Sequence, residues 1–396
     1  MRVAIKATSL GGDGIGYYTR SLVEGLGALQ SDLEFVLLTD CTELTAASEA
    51  WPKFEAVRVE NPSPWWEQFV LPEWLDENRI DLYHNPSFSL PLVKPCRYLT
   101  TVHDCIPVLF PEMVGPAFTR YFSTWAPHWF KIADHLLCNS HHTAHDLVHL
   151  YGVSPDDTSV VYHTGNACMK AVREPDAISQ VKAKFGIDRP FILMVGRVEL
   201  RKNVKGMLEA FSLLSQMDVE PHLLVFAGSR VPDAHDPDGL LPNIGRRGDI
   251  IVTGHTSEAE MAALYSSASV YCFPTFYEGF GRPLLEAMQC NAPIVTSRTS
   301  SLPEVGGDAC LYVSPYHPQE IATALHRVLT DDALRSVLIA RGAERAKQFT
   351  TERMARETLA VYERVLHGIS DGTEAAGARV PAASSGKGGS TDGDCT

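Results

Sequence analysis

The chain has 396 residues, a formal net charge of −14 and nine cysteines. That length accommodates two domains of about 150–200 residues each, and the acidic balance argues against nucleic acid as a partner. The cysteines are scattered, with no CxxC pair, so they read as reduced thiols of a cytoplasmic protein and not as a disulfide framework. Met1-Arg2-Val3-Ala4-Ile5 is too short an apolar run for a signal peptide, and no stretch approaches the roughly 18 apolar residues of a membrane span. Any membrane contact is therefore expected to be peripheral.

Arg2 to Ala7 reads as a strand and runs into Leu10-Gly11-Gly12-Asp13-Gly14-Ile15-Gly16. Tyr17 to Leu29 then has helical spacing. Strand, glycine loop and helix make a nucleotide-type opening. Gly14 and Gly16 supply G-x-G, but no further glycine follows between Tyr17 and Arg20, so a dinucleotide fingerprint is incomplete. Leu33 to Thr39 is a second strand ending at Asp40, where an NAD-binding acid would sit, which keeps an NAD-dependent oxidoreductase as a distant alternative. Pro64-Trp65-Trp66-Glu67-Gln68 sets two tryptophans beside a carboxylate. This reads either as a loop that meets a sugar acceptor by stacking or as one core tryptophan with the other as its lid.

Leu82-Tyr83-His84 and Tyr98 to His103-Asp104 are strands ending in polar residues, where ligands of open α/β sheets collect. From Phe118 to Phe130, six aromatic residues fall at near-helical spacing. They fit a core helix with a large aromatic face, or a helix facing an acceptor or a membrane. His141, His145 and His149 lie at i, i+4 and i+8, a spacing zinc can use. No Cys, Glu or Asp is placed to finish the shell, and Ser140 reads as an N-cap, so the three read as a solvated stripe. Lys170 to Pro190 is charged and polar with one short helix, Ile178 to Phe185, and reads as a linker. Phe191 to Gly196 restarts the strand–glycine–helix scheme. Gly196-Arg197-Val198-Glu199-Leu200-Arg201-Lys202-Asn203 then brings three cations just past a strand end, either an exposed basic turn or a grip on a diphosphate.

The densest stretch follows the short apolar run Ala268 to Phe273. It reads Pro274-Thr275-Phe276-Tyr277-Glu278-Gly279-Phe280-Gly281-Arg282-Pro283-Leu284-Leu285-Glu286-Ala287-Met288. Two glycines allow close backbone approach, and Pro283 suits a first helical turn. The amides of Leu284 and Leu285 are then expected to be unpaired donors for an anion. Glu278 and Glu286, with seven residues between them, suit the paired hydroxyls of sugar rings.

This stretch resembles the E-x7-E signature of retaining glycosyltransferases of family four, the GT-B type. The resemblance covers nearly all of residues 1–367. It implies an α/β fold of two facing Rossmann-like domains: an acceptor domain over 1–170, a nucleotide-sugar domain over 171–350, and C-terminal helices over 351–369 returning to the first domain. A disordered tail over 370–396 follows from its Gly, Ala, Ser, Thr and Asp composition. The resemblance puts Glu278 and His103 by the donor sugar, Glu286 on the ribose, and Arg197 and Lys202 on the phosphates. It puts Gly16 over the diphosphate from across the cleft and the base near the loop of His255. Gly279, Phe280, Gly281, Leu284 and Leu285 complete the donor site, with His103, Glu278, Arg197 and Lys202 as the catalytic set. Trp65, Trp66 and Glu67 are the acceptor candidates. No metal is implied.

The segments His103 to Glu112 and Trp66-Glu67-Gln68 look like mannosyltransferases of surface-polysaccharide assembly. They imply GDP-mannose as donor, no cofactor, and a saccharide or lipid-linked saccharide as acceptor. They also imply a cytoplasmic enzyme with room for peripheral contact at the inner face of the plasma membrane. A UDP-sugar donor and a sugar-nucleotide epimerase of the same fold are the alternatives.

Overall fold

A computed structural model describes residues 1–8, 14–40, 54–60, 62–196, 199–228 and 248–368. Several strands are uninterrupted apolar runs. Phe191–Val195, for instance, is buried at every position, and such a strand needs cover on both faces, as a parallel sheet between helix layers provides.

The first sheet holds β1 (Arg2–Lys6), β2 (Glu34–Thr39), β3 (Phe54–Arg58), β4 (Leu82–Asn85), β5 (Arg97–Val102), β6 (His135–Cys138) and β7 (Thr158–Val160). Its order is β3-β2-β1-β4-β5-β6-β7, and every pairing is parallel. The second sheet holds β8 (Phe191–Val195), β9 (Leu223–Ala227), β10 (Ile250–Gly254), β11 (Val270–Phe273), β12 (Ile294–Ser297) and β13 (Cys310–Val313). Its order, β10-β9-β8-β11-β12-β13, is again wholly parallel. In both sheets the strand order reverses beside the first strand, so a crevice opens between β1 and β4 in one and between β8 and β11 in the other. Such switch points are where open α/β sheets bind ligands.

The helices of the first half are α1 (Gly14–Ala28), α2 (Leu71–Glu77), α3 (Ile106–Leu109), α4 (Pro116–Ile132) and α5 (His141–Tyr151). Those that follow are α6 (Pro175–Phe185), α7 (Val204–Leu214), α8 (Glu258–Ser267), α9 (Arg282–Gln289), α10 (Leu302–Gly306), α11 (Pro318–Thr330), α12 (Asp332–Ala346) and α13 (Thr351–His367). The C-terminal helix crosses back, as the resemblance implies. Met354, Ala355, Val361 and Tyr362 of α13 share a core with Val3, Ile5, Leu22 and Leu26 of the first half. The Tyr362 hydroxyl lies 2.6 Å from His84 Nδ1 at the end of β4.

Two local features differ from the expected pattern. α1 begins at Gly14, so Gly16 is buried within a helical turn and not in the preceding loop. Periodicity alone does not see this, because the glycines carry no apolar side chain to mark the face. The tryptophan segment is helical too: Trp66–Val70 is a π-helical turn leading into α2. The expected tail over 370–396 lies outside the described residues.

Candidate functional site

The densest sequence stretch spans the switch point of the second sheet. β11 delivers the loop Pro274–Gly281, and α9 leaves it. Gly281 opens α9 with a φ of 93°, a left-handed conformation that favours glycine. Gly279 is required for a different reason: a Cβ there would stand 1.9 Å from the backbone oxygen of His103 in the first domain. The donor-type loop is thus pressed directly against the facing lobe.

Opposite the loop, β8 ends at Gly196 and the chain turns through Glu199, Arg201 and Lys202. Glu278 Oε1 accepts from Lys202 Nζ at 2.6 Å and from Arg201 Nη1 at 2.5 Å. Arg201 also donates to the Tyr277 carbonyl at 2.7 Å and to Glu199 at 2.7 Å. Lys202 Nζ sits 4.5 Å from the centroid of the Phe273 ring. Asn203, in a left-handed conformation, ties this turn to the loop through the Pro274 carbonyl at 3.0 Å. All three charged groups are buried. Burial opposes ionisation of Glu278, but Arg201 and Lys202 outweigh it and hold the carboxyl below its ordinary range. Burial also pulls the Lys202 ammonium below 10.5, against the attraction of Glu278. For Arg201, burial is overcome by Glu278 and Glu199, which hold the guanidinium firmly charged. The result is a compact ion cluster in which two carboxylates, Glu278 and Glu199, meet two cations, Arg201 and Lys202. It can exchange Glu278 for another anion. Arg197 lies outside the described residues.

The second glutamate is arranged differently. Glu286 Oε1 accepts from Arg282 Nε at 3.0 Å and Oε2 from the Tyr265 hydroxyl at 3.3 Å. Burial pushes its carboxyl up, opposed by Arg282. The Arg282 guanidinium lies 4.6 Å from the Tyr17 ring centroid on α1, so it bridges the lobes. Its Nη1 is buried with no hydrogen-bond partner among the described residues, and such a donor needs an explanation. The expectation of open amides at the head of α9 is corrected. This holds for Leu284, whose amide donates to the Gly281 carbonyl at 2.9 Å. The tight first turn that Gly281 permits consumes the Leu284 donor locally.

On the facing lobe, His103 ends β5 as expected, but its ring is engaged inside its own domain. Nε2 lies 2.8 Å from the Pro86 carbonyl and Nδ1 lies 3.2 Å from His163 Nε2. A carbonyl only accepts, so His103 carries a proton on Nε2. His163 is buried and held neutral, its pKa driven well below 6.5 by burial and by His103 and Arg282. Its ring packs against Phe280 at 5.1 Å and Tyr18 at 4.8 Å. What His103 presents to the loop at Gly279 is its backbone carbonyl, held by Asn139 at 2.8 Å.

The same loop is gripped by α5. The Ser140 hydroxyl donates to the Gly279 carbonyl at 2.6 Å, and Tyr277 donates to Asp146 at 2.6 Å. Glu304 of α10 reaches across to accept from the His141 and His142 amides at 2.9 and 3.0 Å. Ser140 also caps α5 by accepting from the Thr143 amide, as the spacing predicts.

The comparisons with known proteins agree with this geometry. The model for glycosyl transferases group 1 matches residues 177–345, and that for glycosyltransferase family 4 matches residues 12–164. The chain is 31% identical over 283 residues to the O-antigen chain mannosyltransferase B of Escherichia coli, covering 71% of this chain and 74% of that one. The chain belongs to glycosyltransferase family 4. It is also 27% identical over 291 residues to the serotype-specific mannosyltransferase WbdA of Escherichia coli, covering 72% of this chain but only 36% of that longer protein. Among solved structures, sucrose-phosphate synthase from Thermosynechococcus elongatus has the same fold, with a TM-score of 0.71, 21% identity, and coverage of 93% of this chain and 100% of that one.

In this family 4 glycosyltransferase the remaining expected residues are dispersed. His255 is exposed just after β10. Trp65 is exposed and its ring stacks on Phe69 at 4.7 Å, whereas Trp66 packs against the first-domain core. Glu67 turns inward and pairs with Lys6. On α4, Phe122, Trp129 and Phe130 are buried while Phe118, Tyr121 and Trp125 remain open to solvent. His145 and His149 stack in the open on α5. Among the described residues no helix is long and apolar enough to cross a membrane, and no group of three or more His, Cys, Asp and Glu is placed to hold a metal ion. Sequence reasoning missed His163, Asp146 and Glu199, and it left Arg201 open. Only Arg201 carried a usable signal, a third cation beside Lys202.

Proposed function

We propose that this glycosyltransferase transfers mannose from GDP-mannose, with retention of configuration, to a saccharide or lipid-linked saccharide acceptor in surface-polysaccharide assembly. The observation that carries the reading is the buried cluster in which Glu278 holds Arg201 and Lys202 at the switch point of the second sheet. Likeness to the O-antigen mannosyltransferase supports the choice of sugar.

When a donor enters, its diphosphate takes over Lys202, helped by Arg197, and Glu278 is released toward the sugar hydroxyls. Arg201 keeps Glu278 in place through the Tyr277 carbonyl and Glu199. Arg282 adds a further cation from the head of α9. As the glycosidic bond breaks, these charges stabilise the negative charge growing on the departing diphosphate. A leaving phosphate oxygen takes the acceptor proton on the same face, which gives retention. The reading needs no divalent cation, because protein cations meet the charge. All described cysteines are free, which supports placing the enzyme in the cytoplasm.

The test is turnover of GDP-mannose, UDP-glucose and UDP-N-acetylglucosamine in the presence of a chelator, with product linkage read by NMR. GDP-mannose is expected to be consumed and an α-linked product formed. Consumption of UDP sugars alone would reject the donor, and a β-linked product would reject retention. Glu278→Gln is expected to lower turnover on the order of a hundredfold while changing donor affinity far less, and Lys202→Ala to weaken the donor itself. Wild-type behaviour in both variants would reject the assignment of the cluster.

A further inference from the structure

Helix α9 carries Arg282 at its head and Glu286 one turn further on, and both of its ends are held by the first half of the chain. At the far end, Gln289 Oε1 accepts from the Asn166 amide at 3.1 Å and Gln289 Nε2 donates to the Asn166 carbonyl at 3.2 Å. These bonds lie on the connection that leaves the first sheet after β7. At the head, the Arg282 guanidinium lies 4.6 Å from the ring centroid of Tyr17. That ring belongs to α1, in the body of the first lobe, and its hydroxyl donates to the Gly165 carbonyl at 3.1 Å.

Arg282 is the link between this ring and Glu286. Its Nε donates to Glu286 Oε1 at 3.0 Å, and the Tyr265 hydroxyl donates to Oε2 at 3.3 Å. A carboxylate offers about four lone-pair directions. Among the described residues these two donors take one direction on each oxygen, which leaves one on each for two adjacent hydroxyls. The carboxylate accepts both only when charged. Burial pushes Glu286 toward its neutral form, and Arg282 opposes that. Arg282 therefore sets both the direction and the charge of Glu286. Its own side chain is 30% exposed, and one ion pair at i, i+4 holds so long a chain only weakly. The face of the Tyr17 ring supplies the second attachment, a cation–π contact.

We propose that Tyr17 is a positioning residue for the nucleotide ribose: its ring holds Arg282, which sets the Glu286 carboxylate to receive the two ribose hydroxyls. The inference rests on the glycosyltransferase reading above, with Glu286 on the ribose, and adds that the first lobe takes part in ribose recognition without touching the ribose. Glu286 is then fully set only while the lobes stand as they do in this structure, because opening them carries Tyr17 away from Arg282.

The test measures the binding of GDP and of 2′,3′-dideoxy-GDP to the full-length protein by calorimetry. The ratio of the two dissociation constants reads the ribose contacts alone. The wild type is expected to prefer GDP on the order of a hundredfold, the scale of two hydrogen bonds to a charged group. Tyr17→Leu should lower that ratio about fivefold, the scale of one partly desolvated cation–π contact, and leave the affinity for dideoxy-GDP unchanged. Tyr17→Phe keeps the ring and should keep the wild-type ratio. Arg282→Met breaks the link from the other side and should lower the ratio at least as far, which tests the proposal even if Tyr17→Leu does not fold. A variant that weakens both nucleotides equally has lost only structure, and that result overturns the proposal. A wild-type protein that binds GDP and dideoxy-GDP alike also overturns it, while the donor reading stands. If UDP binds in place of GDP, a fall in the ratio of 2′,3′-dideoxy-UDP to UDP in Tyr17→Leu upholds the proposal and corrects the base. Failure to bind either nucleotide overturns the proposal together with the donor reading.

Discussion

Lys202 shows how a single residue reports the state of the donor cluster. Its ammonium is buried, and burial lowers its pKa from 10.5 despite the pull of Glu278. The charged form therefore disappears at a lower pH than for an ordinary lysine. Because kcat/KM reports the free enzyme, its profile for the donor should fall on an alkaline limb lying below 10.5. Glu278, held below the ordinary carboxylate range, stays charged well into acid. Lys202→Arg should remove the alkaline limb, since a guanidinium does not titrate there. A limb at the same pH in that variant would mean that another group is responsible. Gly279 makes the complementary point about size. Its hydrogen is the only side chain that fits against the His103 carbonyl, so the facing lobe itself demands glycine next to Glu278.

At the scale of elements, α13 ties the end of the chain to the first sheet through a polar contact in an apolar setting. His84 is fully buried between Tyr362 and Thr101. Burial, with help from His103, lowers its pKa from 6.5 to about 3. Folding thus favours the neutral ring, while the unfolded chain takes up a proton below pH 6.5. Stability contributed by this site is complete above that pH and is lost as pH falls toward 3. By pH 5 the loss should be roughly 2 kcal/mol. Denaturant unfolding of the wild type and of His84→Gln checks this, because the variant should lose that part of the acid slope. If both proteins show the same slope between pH 6.5 and 5, His84 is not its source.

For the whole molecule, the lobes are held together around the donor loop by α5 and α10. Glu304 places a carboxylate on the first two amides of α5, where the partial positive charge of the helix is concentrated. Loss of such a cap costs about 1 kcal/mol. Glu304→Ala should therefore shift the closed-to-open ratio about fivefold toward the open form. Distance measurements between labels on the two lobes, without nucleotide, read that shift directly. An unchanged distance distribution would show that Tyr277–Asp146 and Ser140–Gly279 hold the lobes without Glu304.

Much of this protein is legible in its residues alone. Apolar runs such as Phe191–Val195, the repeated strand–glycine–helix opening, and the loop from Glu278 to Glu286 specify two parallel α/β sheets and the place of the donor loop, because local spacing encodes them. Gly16 and the Leu284 amide were misplaced because a helix start depends on hydrogen bonds that glycine-rich sequence does not announce. Arg201, Asp146, His163 and Glu304 meet Glu278, Tyr277, His103 and the His141 and His142 amides across long chain separations, so these pairings have no local signature. Trp65 and Trp66 are adjacent and chemically equal in sequence, and packing alone sends one outward and the other into the core. The sequence by itself determined the family and the position of the loop from Glu278 to Glu286, since both depend on neighbours along the chain. Only the tertiary structure decided which charges pair at the cluster, because burial and pairing arise when distant segments meet.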